Sequence, residues 1–178
     1  IKNINLNSNK NGAFLELIYN DKMYYVIQNG IYTCDLGGEG KQCVMKEREI
    51  KEIFLGTFDA IDNRLYFLAE NLDNKICVYY ISLSSFRLSE VVCKDVSCYA
   101  LGEKGIYYVS EDDGNVYYKT YQNSESIEKT AIENCSNSLL KYGNNGWLIQ
   151  EQKSVSDGQI YAFNEVKGVS KILFKSNR

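Results

Sequence analysis

The chain has 178 residues, 44% of them apolar and 13% aromatic, with a net charge of −3 and 15 tyrosines. That is a globular composition of one-domain length, rich in strand-favouring residues, and it excludes a disordered chain or one that attracts nucleic acid by bulk charge. Histidine is absent, which removes Ser-His-Asp and Cys-His catalysis and His-ligated zinc; proline is absent too, so Gly, Asn and Asp must make the turns.

The chain begins at Ile1 rather than Met, which sets the expectation that its natural start lies upstream. No apolar run approaches the ~20 residues of a membrane-spanning helix. Residues 1–8, IKNINLNS, place Ile4 and Leu6 in alternation and predict one extra strand. A stretch DKMYYVI then starts at Asp21. Related stretches start at Asp62 (DNRLYFL), Glu103 (EKGIYYV) and Asn144 (NNGWLIQ), each 41 residues after the last. Tyr25, Tyr66 and Tyr107 share a column, with Leu148 in the fourth copy. A second apolar pair follows in each copy, at Ile31-Tyr32, Val78-Tyr79, Val116-Tyr117 and Ile160-Tyr161. Each copy closes on a further strand-like run, KQCVMK, LSEVVCKD, IEKTAIEN and VSKILFKS.

Each copy thus predicts four short strands, a to d. The predicted a–b turns are Asp21-Lys22, Asp62-Asn63, Lys104-Gly105 and Asn145-Gly146. The predicted c–d turns are Gly37–Gly40, Ser84-Ser85, Asn123-Ser124 and Lys167-Gly168. Strand b is an almost continuous apolar run, the pattern of a strand covered on both faces. A four-stranded antiparallel unit with apolar faces must stack on its neighbours, and radial stacking buries those faces. The predicted fold is all-β and β-propeller-like: four copies of a four-stranded antiparallel blade with a 41-residue period. They make a single domain, 1–178, with blades at about 13–47, 54–95, 96–136 and 137–176. A sandwich or barrel of hairpins would not require the constant spacing.

The WD-repeat pattern fails, because His is absent and Trp147 is the single Trp. The kelch pattern needs a Gly pair in every blade, and Gly37-Gly38 supplies one. The run DKMYYV followed by IYTCDLGGEGKQCV resembles the blades of YWTD-like and TolB-like propellers. It also resembles bacterial domains of unknown function built from such blades. The YWTD tetrad is replaced by Tyr24-Tyr25-Val26-Ile27, Leu65-Tyr66-Phe67-Leu68 and Ile106-Tyr107-Tyr108-Val109. The resemblance implies a secreted or cell-surface binding scaffold of a bacterium. The last copy carries its own strand d, so the strand at 1–8 is either a fifth strand on one blade or the end of a blade from a longer array. The second is the expectation, with missing blades or neighbouring domains as partners.

The b–c and d–a loops of a propeller share one face. That face would gather Glu70, Asp73, Glu111, Asp112, Asp113 and Asp157 as candidate ligand-binding residues. The run EDDGN at Glu111–Asn115 lacks the spacing of a calcium loop, and DLGGEGK lacks the register of a phosphate-binding loop. No metal, cofactor or catalytic residue is expected. The six cysteines contain no Cys-x-x-Cys pair. Folding the c–d hairpins puts Cys34 opposite Cys43 and Cys77 opposite Cys93. They read either as two cross-strand disulfides of an exported protein or as reduced, buried, small apolar residues. The function expected is a non-enzymatic binding module, extracellular or on the cell surface, for a protein or carbohydrate, without nucleic acid or a membrane span. A hydrolase with carboxylates drawn from loops and a structural spacer are the alternatives, and a cytoplasmic location stays open.

Overall fold

The computed structural model describes residues 12–46, 50–93, 95–122, 126–130, 132–133, 135, 139–142, 147–153, 158–164 and 170–175. They are strands, turns and irregular segments, with no helix among them. The strand expected at Ile4 and Leu6 lies outside the described residues. The chain divides into two compact units, Ile1–Cys93 and Lys94–Arg178.

The first unit opens with an antiparallel sheet of β1 (Ala13–Tyr19), β2 (Lys22–Ile27), β3 (Gly30–Asp35) and β4 (Gln42–Met45), paired in chain order. The β1–β2 turn is Asn20-Asp21, one residue before the expected place. Both residues have positive φ, 50° and 58°, as a two-residue turn matched to strand twist requires. Asn and Asp tolerate that conformation, so they do here what proline-free turns need.

The second sheet contains β5 (Glu52–Ile53), β6 (Asp59–Ile61), β7 (Arg64–Glu70), β8 (Ile76–Ser82) and β9 (Leu88–Cys93). β5 and β6 both pair with β7, so the sheet has five strands where four were expected. The edge strand made of β5 and β6 is broken between Phe54 and Phe58. Inside the break, Phe54 N–H donates to the Leu68 carbonyl at 3.0 Å. Thr57 Oγ1 accepts from Leu68 N–H at 3.0 Å and donates to the Phe54 carbonyl at 2.7 Å. The β6–β7 turn is Asp62-Asn63, as expected, with φ of 50° and 59°.

One apolar cluster joins these two sheets. It includes Tyr24, Val26 and Ile31 from the first and Leu65, Phe67, Ala69, Tyr79 and Ile81 from the second. Phe67 stacks on Phe58 at 5.2 Å and on Tyr79 at 6.0 Å. Each such buried side chain contributes roughly 1.5–3 kcal/mol of transfer free energy. Met23 and Tyr25 occupy the other face of β2 and pack with Cys34.

That division of faces corrects the expected tyrosine column. Tyr25, Tyr66 and Tyr107 are all buried. However, Tyr25 shares its face with Met23, while Tyr66 lies on the face of β7 opposite Leu65 and Phe67. Counted from the turns, Tyr24 and Tyr66 are both the third residue of their strands. Their strands start at Lys22 and Arg64, 42 residues apart rather than 41. Side chains alternate with a period of two, so a one-residue slip moves the whole set to the other face.

The second unit holds two further antiparallel sheets. The third is β10 (Val96–Leu101), β11 (Gly105–Ser110), β12 (Val116–Thr120) and β13 (Ile127–Lys129). The fourth is β14 (Leu139–Tyr142), β15 (Trp147–Lys153), β16 (Gly158–Asn164) and β17 (Ser170–Lys175). The β10–β11 turn is Glu103-Lys104 rather than Lys104-Gly105, closed by Gly102 N–H to the Gly105 carbonyl at 2.8 Å. Gly105 opens β11, where a Cβ would stand 2.3 Å from the Lys119 carbonyl oxygen. Tyr107 and Val109 from β11 pack with Val116, Ile132, Cys135 and Leu139. Tyr107 is again the third residue of its strand. The turns expected at Asn123-Ser124, Asn145-Gly146 and Lys167-Gly168 lie outside the described residues.

The c–d hairpins decide the cysteines. In the first, Thr33 pairs with Gln42 and Tyr32 with Cys43, so Cys34 and Cys43 are two residues out of register. Both are free thiols here, the second of the two readings of the cysteines. The turn sets this: Gly38 N–H donates to the Asp35 carbonyl at 2.8 Å and Asp35 N–H to the Glu39 carbonyl at 2.9 Å. With φ of 82° at Gly38, the hairpin folds one residue earlier than Gly38-Glu39. In the second hairpin a bulge between Val78 and Tyr79 shifts the ladder, and Cys77 comes directly opposite Cys93. Cys77 is disulfide-bonded.

Candidate functional site

In the first unit the turn Gln28-Asn29, the loop 71–75 and the beginnings of β1 and β5 lie at one end of their sheets. Two side chains tie this end together. Lys51 Nζ donates to Glu70 Oε1 and to Asn74 Oδ1, both at 2.8 Å. Asn29 Nδ2 donates to the Lys51 carbonyl at 2.7 Å. Asn71 Oδ1 accepts from Asp73 N–H and Lys75 N–H at 2.9 Å each, folding the loop on itself. Glu70 is therefore committed to an ion pair, and Asp73 stands exposed on a fixed loop.

Between β1 and the segment that follows β5 lies a cleft of about 550 Å³. Phe14, Val26, Ile53, Phe54 and Leu55 supply its apolar walls, and Gln28, Asn29 and Glu52 its polar ones. Phe14 and Leu55 are 53% and 46% exposed. The volume falls within the range of small-ligand sites. Beside the cleft, Glu16 Oε2 accepts the Gly56 N–H at 2.7 Å and bridges β1 to the broken strand. Burial pushes the Glu16 carboxyl above its ordinary value, against the opposing pull of that hydrogen bond. Gly56 has φ of 74°, which favours glycine at the point where the chain turns back.

In the second unit the loop Glu111–Asn115 closes through Ser110 N–H to the Asn115 carbonyl at 3.1 Å and Gly114 N–H to the Ser110 carbonyl at 2.9 Å. Asp113 accepts from the Tyr117 hydroxyl at 2.7 Å and from Asn115 N–H at 3.0 Å. The Tyr117 hydrogen bond, then the Asn115 one, hold its carboxyl below the usual range. Glu111 and Asp112 are exposed. Tyr108 stacks on Tyr117 at 5.6 Å and is fully buried. Its hydroxyl has no hydrogen-bond partner among the described residues. Burial, and then the nearby Tyr117 and Asp113, push that hydroxyl up to about 12.

The expected acidic residues thus divide between roles. Glu70 and Asp113 serve the architecture, Asp73, Glu111 and Asp112 are exposed, and Asp157 lies outside the described residues. No group of three or more Cys, Asp or Glu that could hold a metal ion occurs among the described residues. No helix among them is long and apolar enough to cross a membrane.

Sequence reasoning missed Phe14, Glu16, Glu52 and Leu55. A signal was present in AFLELIY, where alternation fails around Glu16. The structure has a bulge there, between Leu15 and Leu17.

The sequence matches no protein-family model and no curated protein. Solved structures do match. An oligogalacturonate lyase in complex with manganese superposes with a TM-score of 0.71 at 13% identity, over 93% of this chain and 53% of that one. TolB from Acinetobacter baumannii gives 0.62 at 14% identity, over 88% and 41%. A nidogen/laminin complex gives 0.56 at 9% identity, over 89% and 60%. The chain spans about half the length of these structures. At such identities the likeness concerns the fold alone: all-β, antiparallel and propeller-like, of the TolB type.

Proposed function

We propose that the chain is a non-enzymatic binding scaffold and that its ligand sits in the cleft between Phe14 and Leu55. The carrying observation is the wall chemistry: large apolar side chains kept exposed beside one carboxylate, Glu52. A hydrolase of the two-carboxylate kind needs a second acid within about 5–10 Å of the first. Glu70, directly opposite Glu52 in the ladder, is held in an ion pair by Lys51, and Glu16 accepts the Gly56 N–H. Asp73, Glu111 and Asp112 then keep the loop ends negatively charged. The four sheets are read as four blades of about 41 residues each, at 13–47, 54–95, 96–136 and 137–176.

We also propose that the protein works outside the reducing cytoplasm, on a bacterial surface or secreted. The disulfide at Cys77, with Cys93 opposite, supports this, because such bonds persist in oxidising compartments. Proteins and carbohydrates are the partner classes. Peptide and glycan arrays test the reading. The expected result is a ligand held by the wild-type chain and lost in Phe14→Ser and Leu55→Ser, with no turnover. Cleavage of an array member, oligogalacturonate included, would overturn it in favour of an enzyme.

A further inference from the structure

The cleft has features that narrow the class of ligand, and a ligand assigned from them rests on the binding reading of this same site. One wall is the start of β1. Among the described residues β1 pairs with β2 alone, so its other edge offers backbone donors and acceptors. An extended chain can add to such an edge as a further strand, with its side chains sorted by neighbouring pockets. The opposite wall is Phe54, still bonded to Leu68 of β7, and Leu55, in the break between β5 and β6.

Among the described residues the charge beside the cleft is unbalanced. Glu52 is exposed in its lining, and Glu16 adds a second carboxylate beside it. The cation next to Glu52 in sequence, Lys51, is held by Glu70 and Asn74. A ligand that brings a positive group would complement this rim, and an anionic one would be repelled.

We propose that the cleft binds an extended peptide segment in which a bulky apolar residue adjoins a lysine or arginine. The apolar side chain lies against Phe14, Phe54 and Leu55. The cationic side chain reaches Glu52. The peptide backbone runs along the edge of β1 that is turned away from β2.

The test uses four synthetic probes titrated into the whole chain and followed by calorimetry: Ac-Gly-Phe-Lys-Gly-NH2, its Ser-Lys and Phe-Glu analogues, and free phenethylamine. The Phe-Lys peptide should bind at least tenfold more tightly than either analogue and than the free amine. Its affinity should fall tenfold or more in Phe14→Ser and in Leu55→Ser. Glu52→Gln should abolish the preference for Lys over Glu while the preference for Phe over Ser persists. All three residues are exposed, so these variants keep the fold, and circular dichroism checks that they do. Phenethylamine binding as well as the peptide would overturn the peptide assignment. Equal binding of the Phe-Lys peptide by wild type and both apolar variants would overturn the cleft assignment. If no Phe-Lys peptide binds while another array member binds through Phe14 and Leu55, this inference falls and the scaffold reading stands. If a substrate is cleaved instead, the scaffold reading itself falls.

Discussion

Tyr24 and Tyr66 stand at the same step of their strands, each the third residue after a two-residue turn whose residues both have positive φ. Tyr24 packs into the seam between the first two sheets. Tyr66 lies on the face of β7 turned away from that seam, 5.5 Å from the Tyr80 ring, with the Arg64 guanidinium 5.0 Å from the centre of Tyr80. Both are buried. Tyr66→Ala should therefore cost roughly 3–5 kcal/mol, the range for deleting a large core aromatic. Denaturant unfolding measures it, and a loss under 1 kcal/mol would mean that this face of the sheet is not core.

The Tyr108 hydroxyl is buried and has no hydrogen-bond partner among the described residues. Below pH 10 the tyrosine is neutral both folded and unfolded and contributes no pH dependence. Between about 10 and 12 the unfolded side chain loses its proton, while the folded one, pushed up to about 12, keeps it. The unfolded state then binds fewer protons, so stability falls as pH rises through that window. Tyr108→Phe should flatten this part of the alkaline decline. At pH 7 it should be neutral or stabilising, since it removes a buried donor that has no partner. A loss of more than 1 kcal/mol at pH 7 would show that the hydroxyl has a partner in solution.

Gly105 and Gly37 make a matched pair of substitutions. A Cβ on Gly105 would collide with the backbone oxygen of Lys119 and with the Tyr118 ring, whereas one on Gly37 would meet nothing within 4 Å. Neither residue has positive φ. Gly105→Ala should destabilise by roughly 1–3 kcal/mol through overpacking, and Gly37→Ala should leave the melting temperature close to wild type. Equal melting temperatures for the two variants would contradict the close approach of β11 and β12.

Cys34, Cys43, Cys98 and Cys135 carry reduced thiols, and Cys77 is disulfide-bonded. With Cys93 as the proposed partner, thiol titration in denaturant should count four groups before reduction and six after. Cys77→Ser should lower stability by about 3 kcal/mol, the loop-closure value for a loop of this length. Six thiols before reduction would remove the bond, and with it the argument for an oxidising compartment.

The tyrosines, the apolar strand runs and the Asn and Asp turns were legible in the sequence, because each is a local property with a period or a chemistry of its own. The face on which a side chain lands was not. It depends on the exact turn residues, and moving one turn from Asp21-Lys22 to Asn20-Asp21 exchanges the roles of Tyr24 and Tyr25. The two cysteine hairpins differ for the same reason, one being set by a glycine turn and the other by a bulge at Val78. The cleft left almost no trace, since its walls come from residues some forty positions apart, and Leu55 lies in the break between β5 and β6.

That break has a consequence for how the protein can change. Ile53 is anchored to Ala69 on one side of it and Asp59 to Tyr66 on the other. The register on each side is fixed independently, and within the break Phe54 and Thr57 hold Leu68 while Phe58 stacks on Phe67, so a change of length falls on Leu55 and Gly56. The wall carrying Leu55 can be rebuilt by insertion or deletion while the seam of Tyr24, Phe67 and Tyr79 stays intact. The molecule has in effect a cassette position, where new specificity can be tried without reopening the core.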